Sequence, residues 1–399
     1  MGMKNLKRIS WKQMPNILFL TVIIVFLLLG FVRTVWLPKD INYYENRYSE
    51  KIIVPSLTNV LDGTFQNSVE NALADQIPKA QTLKKAYNIV HGGFVDTVLH
   101  SFIQSNNDIY INYKGARLYN GYMAHYVRDF DADQPCFDAK AENYNAIIRA
   151  YPELEFYAYF IEKDTNVSFD TGLQTPSAEY MLSILELDED HKAIYEVNNF
   201  ADYAANFYHT DHHWNHRGSY KGYLQVMELL KCQDSRVLPG EEILIFDGYL
   251  GSKAAASGTS LFAEKFYGYK YDLPEFSVLE NGVARDHYGN QEVCQKDQNL
   301  QSISYGHYYG YDSGEIIFTS GREDSENILV IGDSFDNAIL QLMATHYNQL
   351  FSIDLRNYEA QMGQTFDFRR YVKEHDITKV LFIGNDVFYV DDDFLLENA

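Results

Sequence analysis

Two short motifs supply the side chains from which a nucleophilic acyl-transfer site is built. Asp211-His212-His213-Trp214 sets a carboxylate two residues before a histidine, and Gly332-Asp333-Ser334 sets a serine beside a glycine after an apolar run. A serine hydroxyl is a weak nucleophile at neutral pH. It needs a histidine to take its proton and a carboxylate to fix that histidine's tautomer. The acid-histidine-serine order is no obstacle, because triads occur in several chain orders on unrelated folds. Each motif also has a plainer reading. Gly-Asp-Ser is ordinary turn and cap chemistry, and the histidines could be a solvated loop with Trp214 in the core. A metal reading competes too: His209, Asp211, His212, His213 and His216 are clustered, and His212 and His216 stand four apart, as zinc ligands on a helix do. No glutamate base lies within that pair and no further ligand is evident, so neither a metal nor a cofactor is expected.

The elements that would position these groups are clearest at the C-terminus. Asn327 to Ile331, Leu350 to Leu355 and Lys379 to Ile383 read as strands, with helices over Asp336 to His346 and Phe366 to His375 between them. Strands and helices alternating at this spacing predict a parallel sheet with helices on its faces. Ligands of such sheets bind beyond the carboxyl ends of the strands. Ser334 follows the first of these strands, Arg356 the second, and Gly384-Asn385-Asp386 the third. Gly332, Arg356 and Asn385 are therefore the candidates for oxyanion or substrate binding. Asn385 offers a side-chain amide, and the backbone N–H of Ser334 is expected at a helix N-terminus. The bland alternative for Arg356 is a pairing with Asp354.

Further upstream, Leu154 to Ile161 reads as a buried strand. Trp214 to Leu230 reads as a helix, with Asn215 as its N-cap. The expected organisation is a basic flank and transmembrane anchor over 1–37, a juxtamembrane and helical region over 38–150, and the main α/β domain over 151–399, with a loop-rich insertion around 234–320. Within 38–150, residues 52–94 read as helical, 98–103 and 109–113 as a hairpin, and 137–150 as a helix.

Composition narrows the partners. The 399 residues carry a net charge of −22, which argues against nucleic acid and anionic membrane surfaces, since both require a basic footprint. Three cysteines, Cys136, Cys232 and Cys294, make no disulfide framework, and their spacing suggests no zinc site. Lys4, Lys7, Arg8 and Lys12 precede a charge-free run from Gln13 to Val32. About 20 apolar residues span a bilayer. The basic flank is expected in the cytoplasm, and the rest of the chain outside the cell membrane. No small-residue cleavage pattern follows, so the anchor is expected to be retained.

The Asp211-His212-His213-Trp214 motif resembles the signature of the DHHW protein family, which is similar to alginate O-acetyltransferase proteins with SGNH hydrolase-like domains. Glu45-Asn46-Arg47, Asp62-Gly63-Thr64-Phe65 and Asp75-Gln76-Ile77-Pro78 also resemble that group's N-terminal pattern. The resemblance implies an SGNH hydrolase-like (flavodoxin-like) α/β fold preceded by one transmembrane helix. It implies that Asp211 orients, that His213 is the base, with His212 in the variable position, and that Ser334 is the nucleophile. Gly384-Asn385-Asp386 resembles the Gly-x-Asn-Asp block of SGNH hydrolases, here with glycine and asparagine adjacent. The implied activity is O-acyl transfer, by expectation of an acetyl group, to a cell-surface or secreted polysaccharide. A membrane acyltransferase that supplies acyl groups is the implied partner. A carbohydrate esterase with the same triad and a non-catalytic cell-envelope binding or assembly protein are the alternatives.

Overall fold

The computed structural model describes residues 14–39, 41–42, 47–76, 79, 82–83, 86, 111–113, 116–257, 262–297, 300 and 302–396. The chain divides into two compact units, Met1–His91 and Gly92–Ala399.

In the first unit a 22-residue helix, Met14–Val35, is long and apolar enough to cross a membrane. Its apolar side chains are bare all round: Leu18, Phe19, Leu20 and Leu27 are each more than half exposed. Strands β1 (Ile41–Asn42) and β2 (Arg47–Tyr48) pair antiparallel. Two helices follow, Leu57–Leu61 and Thr64–Gln76. Ser56 and Asn59 close a capping box on the first, and the Gln76 amide bonds the backbone of Lys39 through both its oxygen and its nitrogen. The helical reading of 52–94 is thus two helices up to Gln76, and most of the remainder lies outside the described residues. The strand expected at 98–103 lies outside them as well.

The second unit opens, among the described residues, with β3 (Ile111–Tyr113), β4 (Ala116–Tyr119) and β5 (Tyr122–Ala124), paired antiparallel in that order. Residues 111–113 therefore pair forward with β4. A helix, Phe130–Ala150, capped by the Asp129 side chain, starts one turn or more before the expected 137. Next come β6 (Glu155–Ile161), β7 (Lys192–Tyr195), β8 (Glu242–Tyr249), β9 (Glu264–Tyr269), β10 (Ser277–Glu280), β11 (Val283–Arg285), β12 (Glu315–Thr319), β13 (Asn327–Gly332), β14 (Gln349–Ile353) and β15 (Ile377–Asn385). Eight of these form one sheet in the order β11-β10-β12-β14-β13-β15-β6-β7. The pairs β14–β13, β13–β15, β15–β6 and β6–β7 are parallel, while β12, β10 and β11 add an antiparallel edge. The segment read as a loop-rich insertion thus extends the sheet by three strands and contributes the separate β8–β9 ribbon.

The sheet is covered on both faces because its central strands are apolar along most of their length, as strands buried on two sides tend to be. Along β6, Tyr157, Tyr159 and Ile161 face one core, together with Tyr223, Val226 and Met227 of the helix His216–Leu229. Phe156, Ala158 and Phe160 face the other, with Phe137 and Tyr144 from Phe130–Ala150 and Phe368 from the helix Phe368–Glu374. The period-two alternation of side chains across a strand produces both cores from one run of sequence.

The helix expected over Asp336 to His346 is broken. A single 3-10 turn, Asp336–Ala338, leads into a short helix, Leu340–Ala344. The polar side chains just past the serine explain this. Asp333 accepts from the backbone N–H of Phe335, and Asn337 is held by Tyr288 and Asp312. Local side-chain bonds of this kind compete with helix formation. Ser334 stands at a tight turn, so the helix-dipole contribution expected there shrinks to that of one 3-10 turn.

Candidate active site

The backbone brings Asp211, His213 and Ser334 together. Ser334 emerges from the carboxyl end of β13 and is partly open to solvent, between the buried Asp333 and Phe335. Its Oγ lies 2.7 Å from His213 Nε2. On the other side of the ring, Nδ1 lies 2.6 Å from Asp211 Oδ1. The imidazole is thus held between an acceptor carboxylate and a hydroxyl, and an Nδ1–H tautomer leaves the Nε2 lone pair facing Ser334. His213 and Asp211 are almost wholly buried.

Asp211 is fixed from every side. Its Oδ1 also accepts from the backbone N–H of His213 at 3.1 Å. Its Oδ2 accepts from Tyr249 OH at 2.7 Å and from the N–H of Ser252 at 2.8 Å. Burial alone would raise the pKa of this carboxyl. His213, His212 and the Ser252 N–H override it and hold the group well below the ordinary aspartate value. Gly251 makes the close approach feasible, since a Cβ there would run into the Asp211 side chain. The preceding residues are pinned as well: the Glu264 carboxylate accepts from the N–H groups of His209 and Thr210 and from the Thr210 hydroxyl.

The ring of His213 is clamped by aromatic groups. Tyr305 stacks on it with centroids 3.8 Å apart and planes 3° from parallel. The hydroxyl of Tyr305 accepts from Trp214 Nε1 at 3.2 Å. The tryptophan that ends the motif is therefore a fully buried strut that holds the aromatic plate over the histidine. His212 is turned away from Ser334. Its Nδ1 bonds Ser252 Oγ at 2.7 Å, and about a third of its side chain is exposed. Desolvation, and then the neighbouring His213, push its pKa well below the usual histidine value. Asn215 caps the helix His216–Leu229 by accepting from the N–H groups of Arg217 and Gly218.

The other three candidates have different surroundings. Asn385 Nδ2 donates to Asp333 Oδ2 at 2.8 Å, and its Oδ1 accepts from Val387 N–H at 2.8 Å. One hydrogen of its amide ties the ends of β13 and β15 together. Arg356 is bidentate on Asp354, with Nε at 3.0 Å and Nη2 at 2.5 Å, and also reaches Asp312 at 3.2 Å. The arginine is thus paired with Asp354, the plainer arrangement for it, and with Asp312. Gly332 is buried in β13, where a Cβ would meet the Asp336 carboxyl and Ile383. Its role here is to leave that space. Burial, and then Asp333, Asp354 and Asp312, push the Asp336 carboxyl well above its ordinary value.

Sequence reasoning missed Tyr249, Gly251, Ser252, Glu264 and Tyr305. All lie in the 234–320 segment, whose weak periodicity gives no local sign that it folds back onto the Asp211 loop. Among the described residues no disulfide forms, and the three cysteines are free thiols.

No family profile matches the sequence, and neither does any curated protein. Solved structures do match. Bacillus cereus PatB1 carrying a sulfonyl adduct superposes with a TM-score of 0.53 at 19% identity, over 73% of this chain and 98% of that one. Another structure of PatB1 gives 0.51 at 21% identity, over 72% and 99%. A DHHW family protein from Eubacterium siraeum gives 0.53 at 14% identity, over 71% and 95%. At these identities the likeness is one of fold: the chain is similar to PatB1 and to a DHHW family protein in its α/β architecture, a mostly parallel sheet flanked by helices.

Proposed function

We propose that this protein is a membrane-anchored O-acyltransferase that uses Ser334, His213 and Asp211 to move an acyl group, acetyl by preference, onto a hydroxyl of a cell-surface or secreted polysaccharide. The observation that carries the reading is the continuous hydrogen-bonded line from Asp211 Oδ1 through both nitrogens of His213 to Ser334 Oγ. Ser334 Oγ attacks the acyl carbonyl as its proton passes to His213 Nε2. Asp211, ionised and immobile, stabilises the imidazolium that forms. The tetrahedral oxyanion is met by backbone N–H groups at the carboxyl end of β13, and the Asn385 amide hydrogen not used by Asp333 is the side-chain candidate beside them. The leaving group takes the proton from His213, and the acyl-serine remains. A sugar hydroxyl then gives its proton to His213 and attacks the acyl-serine, and His213 returns that proton to Ser334 Oγ as it leaves.

The apolar helix supports an anchored protein whose body works outside the cell membrane, with the basic flank inside. Cytosolic acyl-CoA is absent there, so a membrane acyltransferase that passes acyl groups outward is the expected supplier. The partial exposure of Ser334 also supports an esterase reading, with water as the acceptor. The test is covalent capture. Full-length protein in detergent, treated with an activated acetyl ester or a sulfonyl fluoride, should carry the acyl or sulfonyl group on Ser334 in a peptide mass map. PatB1, of similar fold, carries a sulfonyl adduct. A label spread over other hydroxyls, with Ser334 unmodified, would sink the reading. With the labelled enzyme in hand, release of acetate rather than an O-acetylated oligosaccharide would favour the esterase.

A further inference from the structure

Away from the triad, Cys232, Asp234 and His346 each present one ligand atom, and the three atoms lie within 4.8 Å of one another. From this geometry we propose a binding site for a thiophilic divalent cation of the zinc class, ligated by Cys232 Sγ, an Asp234 carboxylate oxygen and His346 Nδ1, with water in the fourth position.

His346 is the first support. It is almost fully buried, and its Nδ1 has no hydrogen-bond partner. That nitrogen faces Asp234 Oδ2 at 3.5 Å, too far for a hydrogen bond. Tetrahedral zinc with ordinary bond lengths to nitrogen and oxygen sets two such ligands about 3.4 Å apart. The other ring nitrogen, Nε2, lies 2.7 Å from Tyr223 OH. A metal-bound histidine regularly donates its second N–H to an outer partner of this kind.

The loop that carries the other two ligands is shaped in advance. Lys231 adopts a left-handed backbone (φ 54°) just past the helix His216–Leu229 and turns the chain back. The Arg236 guanidinium then bonds the carbonyls of Met227, Cys232 and Asp234 and fixes the curve. Arg322 reaches Asp234 Oδ2 at 2.6 Å, as an outer partner of a ligating carboxylate does. Three unlike donors, sulfur, nitrogen and oxygen, suit zinc better than magnesium or calcium. The cluster Asp211, His212 and His213 is equally compact, but there His213 Nδ1 is committed to Asp211 and the group belongs to the triad.

No local motif marks this site, because the histidine lies far along the chain from the Cys-x-Asp pair. The site also stands apart from the chemistry. His346 comes just before β14 and Arg322 just before β13, at the amino ends of parallel strands, whereas Ser334 leaves the carboxyl end of β13. The cation would staple the helix His216–Leu229 to the sheet. On binding, the Cys232 thiol loses its proton to solvent and the cation takes the thiolate.

Cobalt(II) tests this, because only thiolate ligation gives its sulfur-to-cobalt charge-transfer band. Full-length protein in detergent, titrated with cobalt, should develop the band, and zinc should displace it. Cys232→Ser should abolish the band while Ser334 labelling stays intact, and Tyr223→Phe should weaken cobalt binding by about 10- to 100-fold. Chelation should lower the melting temperature of the parent and leave that of Cys232→Ser unchanged. Cobalt uptake without a thiolate band, or a band that survives Cys232→Ser, would overturn the proposal. Neither result would touch the triad.

Discussion

Asp211 accepts four hydrogen bonds from His213, Tyr249 and Ser252, so it has no freedom to reorient when the imidazole gains or loses a proton. Under the proposed function, Ser334→Ala and His213→Ala should each lower acyl transfer on the order of 10⁴-fold or more, with the fold intact by circular dichroism. Asp211→Ala should be the mildest of the three, because that residue orients and stabilises and makes no bond to substrate. Tyr249→Phe removes one hydrogen bond to a charged acceptor, worth about 1.5–3 kcal/mol, and should lower kcat by about ten- to a hundredfold. A wild-type rate in Tyr249→Phe would mean that the carboxylate needs no anchor from the Tyr249 hydroxyl. His212 points to Ser252, so His212→Ala should cost far less than His213→Ala. The reverse order would exchange the two histidines' roles.

The helix His216–Leu229 begins at the motif itself. Trp214 lies against its first turns, where Gly218 and Gly222 leave room: a Cβ at either position would run into the tryptophan or the backbone of Asn206. Asn215 caps the same end. Asn215→Ala should destabilise the protein by about 0.5–2 kcal/mol, measured by denaturant melts, and should lower the rate as well, because the cap sets where His213 leaves the loop. This level of organisation was largely legible in sequence. The parallel strands β6, β13, β14 and β15 are dense apolar runs, and the Asn215 cap follows from a polar residue set before an amphipathic stretch. What was not legible depends on distant contacts. β10, β11 and β12 are short and weakly patterned, and they find their place only by pairing on the edge of β14. The break after Ser334 arises from side-chain bonds of Asp333 and Asn337 to partners outside the segment. The plate over His213 comes from Tyr305, one tyrosine among 32.

For the whole molecule, two glutamates, Glu162 buried and Glu264 partly so, give stability a dependence on pH. Burial pushes the carboxyls of Glu162 and Glu264 from the ordinary 4.5 up to about 7, with partial relief from the Val197 N–H on the first and from the His209 and Thr210 groups on the second. Each group holds its proton more tightly folded than unfolded. Its contribution is therefore fully present below about pH 4.5 and is lost as pH rises through about 7. Melting temperatures measured from pH 5 to 8 should fall further for the parent than for Glu162→Gln or Glu264→Gln. Parallel curves would refute the assignment. The variants are needed because the net charge of −22 also disfavours the compact state as carboxyls ionise. The helix Met14–Val35 sets the other property at this scale. A reporter fused after Ala399 should be active only in a form that works outside the cytoplasm, and cytoplasmic activity would reverse the proposed orientation.

The contact between Tyr249 and Asp211 has a bearing on the order in which the molecule acquires its parts. Asp211 meets His213 across two residues and Tyr249 across 38, and His213 meets Ser334 across 121. Contacts that close long stretches of chain form late, because the entropy of closure is spent before they return anything. A chain whose 249–252 segment has docked on Asp211, but whose β6 and β15 have not yet paired, would have a histidine of fixed tautomer and no nucleophile beside it. On refolding from denaturant, backbone ellipticity should recover first and the capacity of Ser334 to take a label should trail it. Labelling of Ser334 would then report the closed sheet, and the docked 249–252 segment alone would be an inert intermediate.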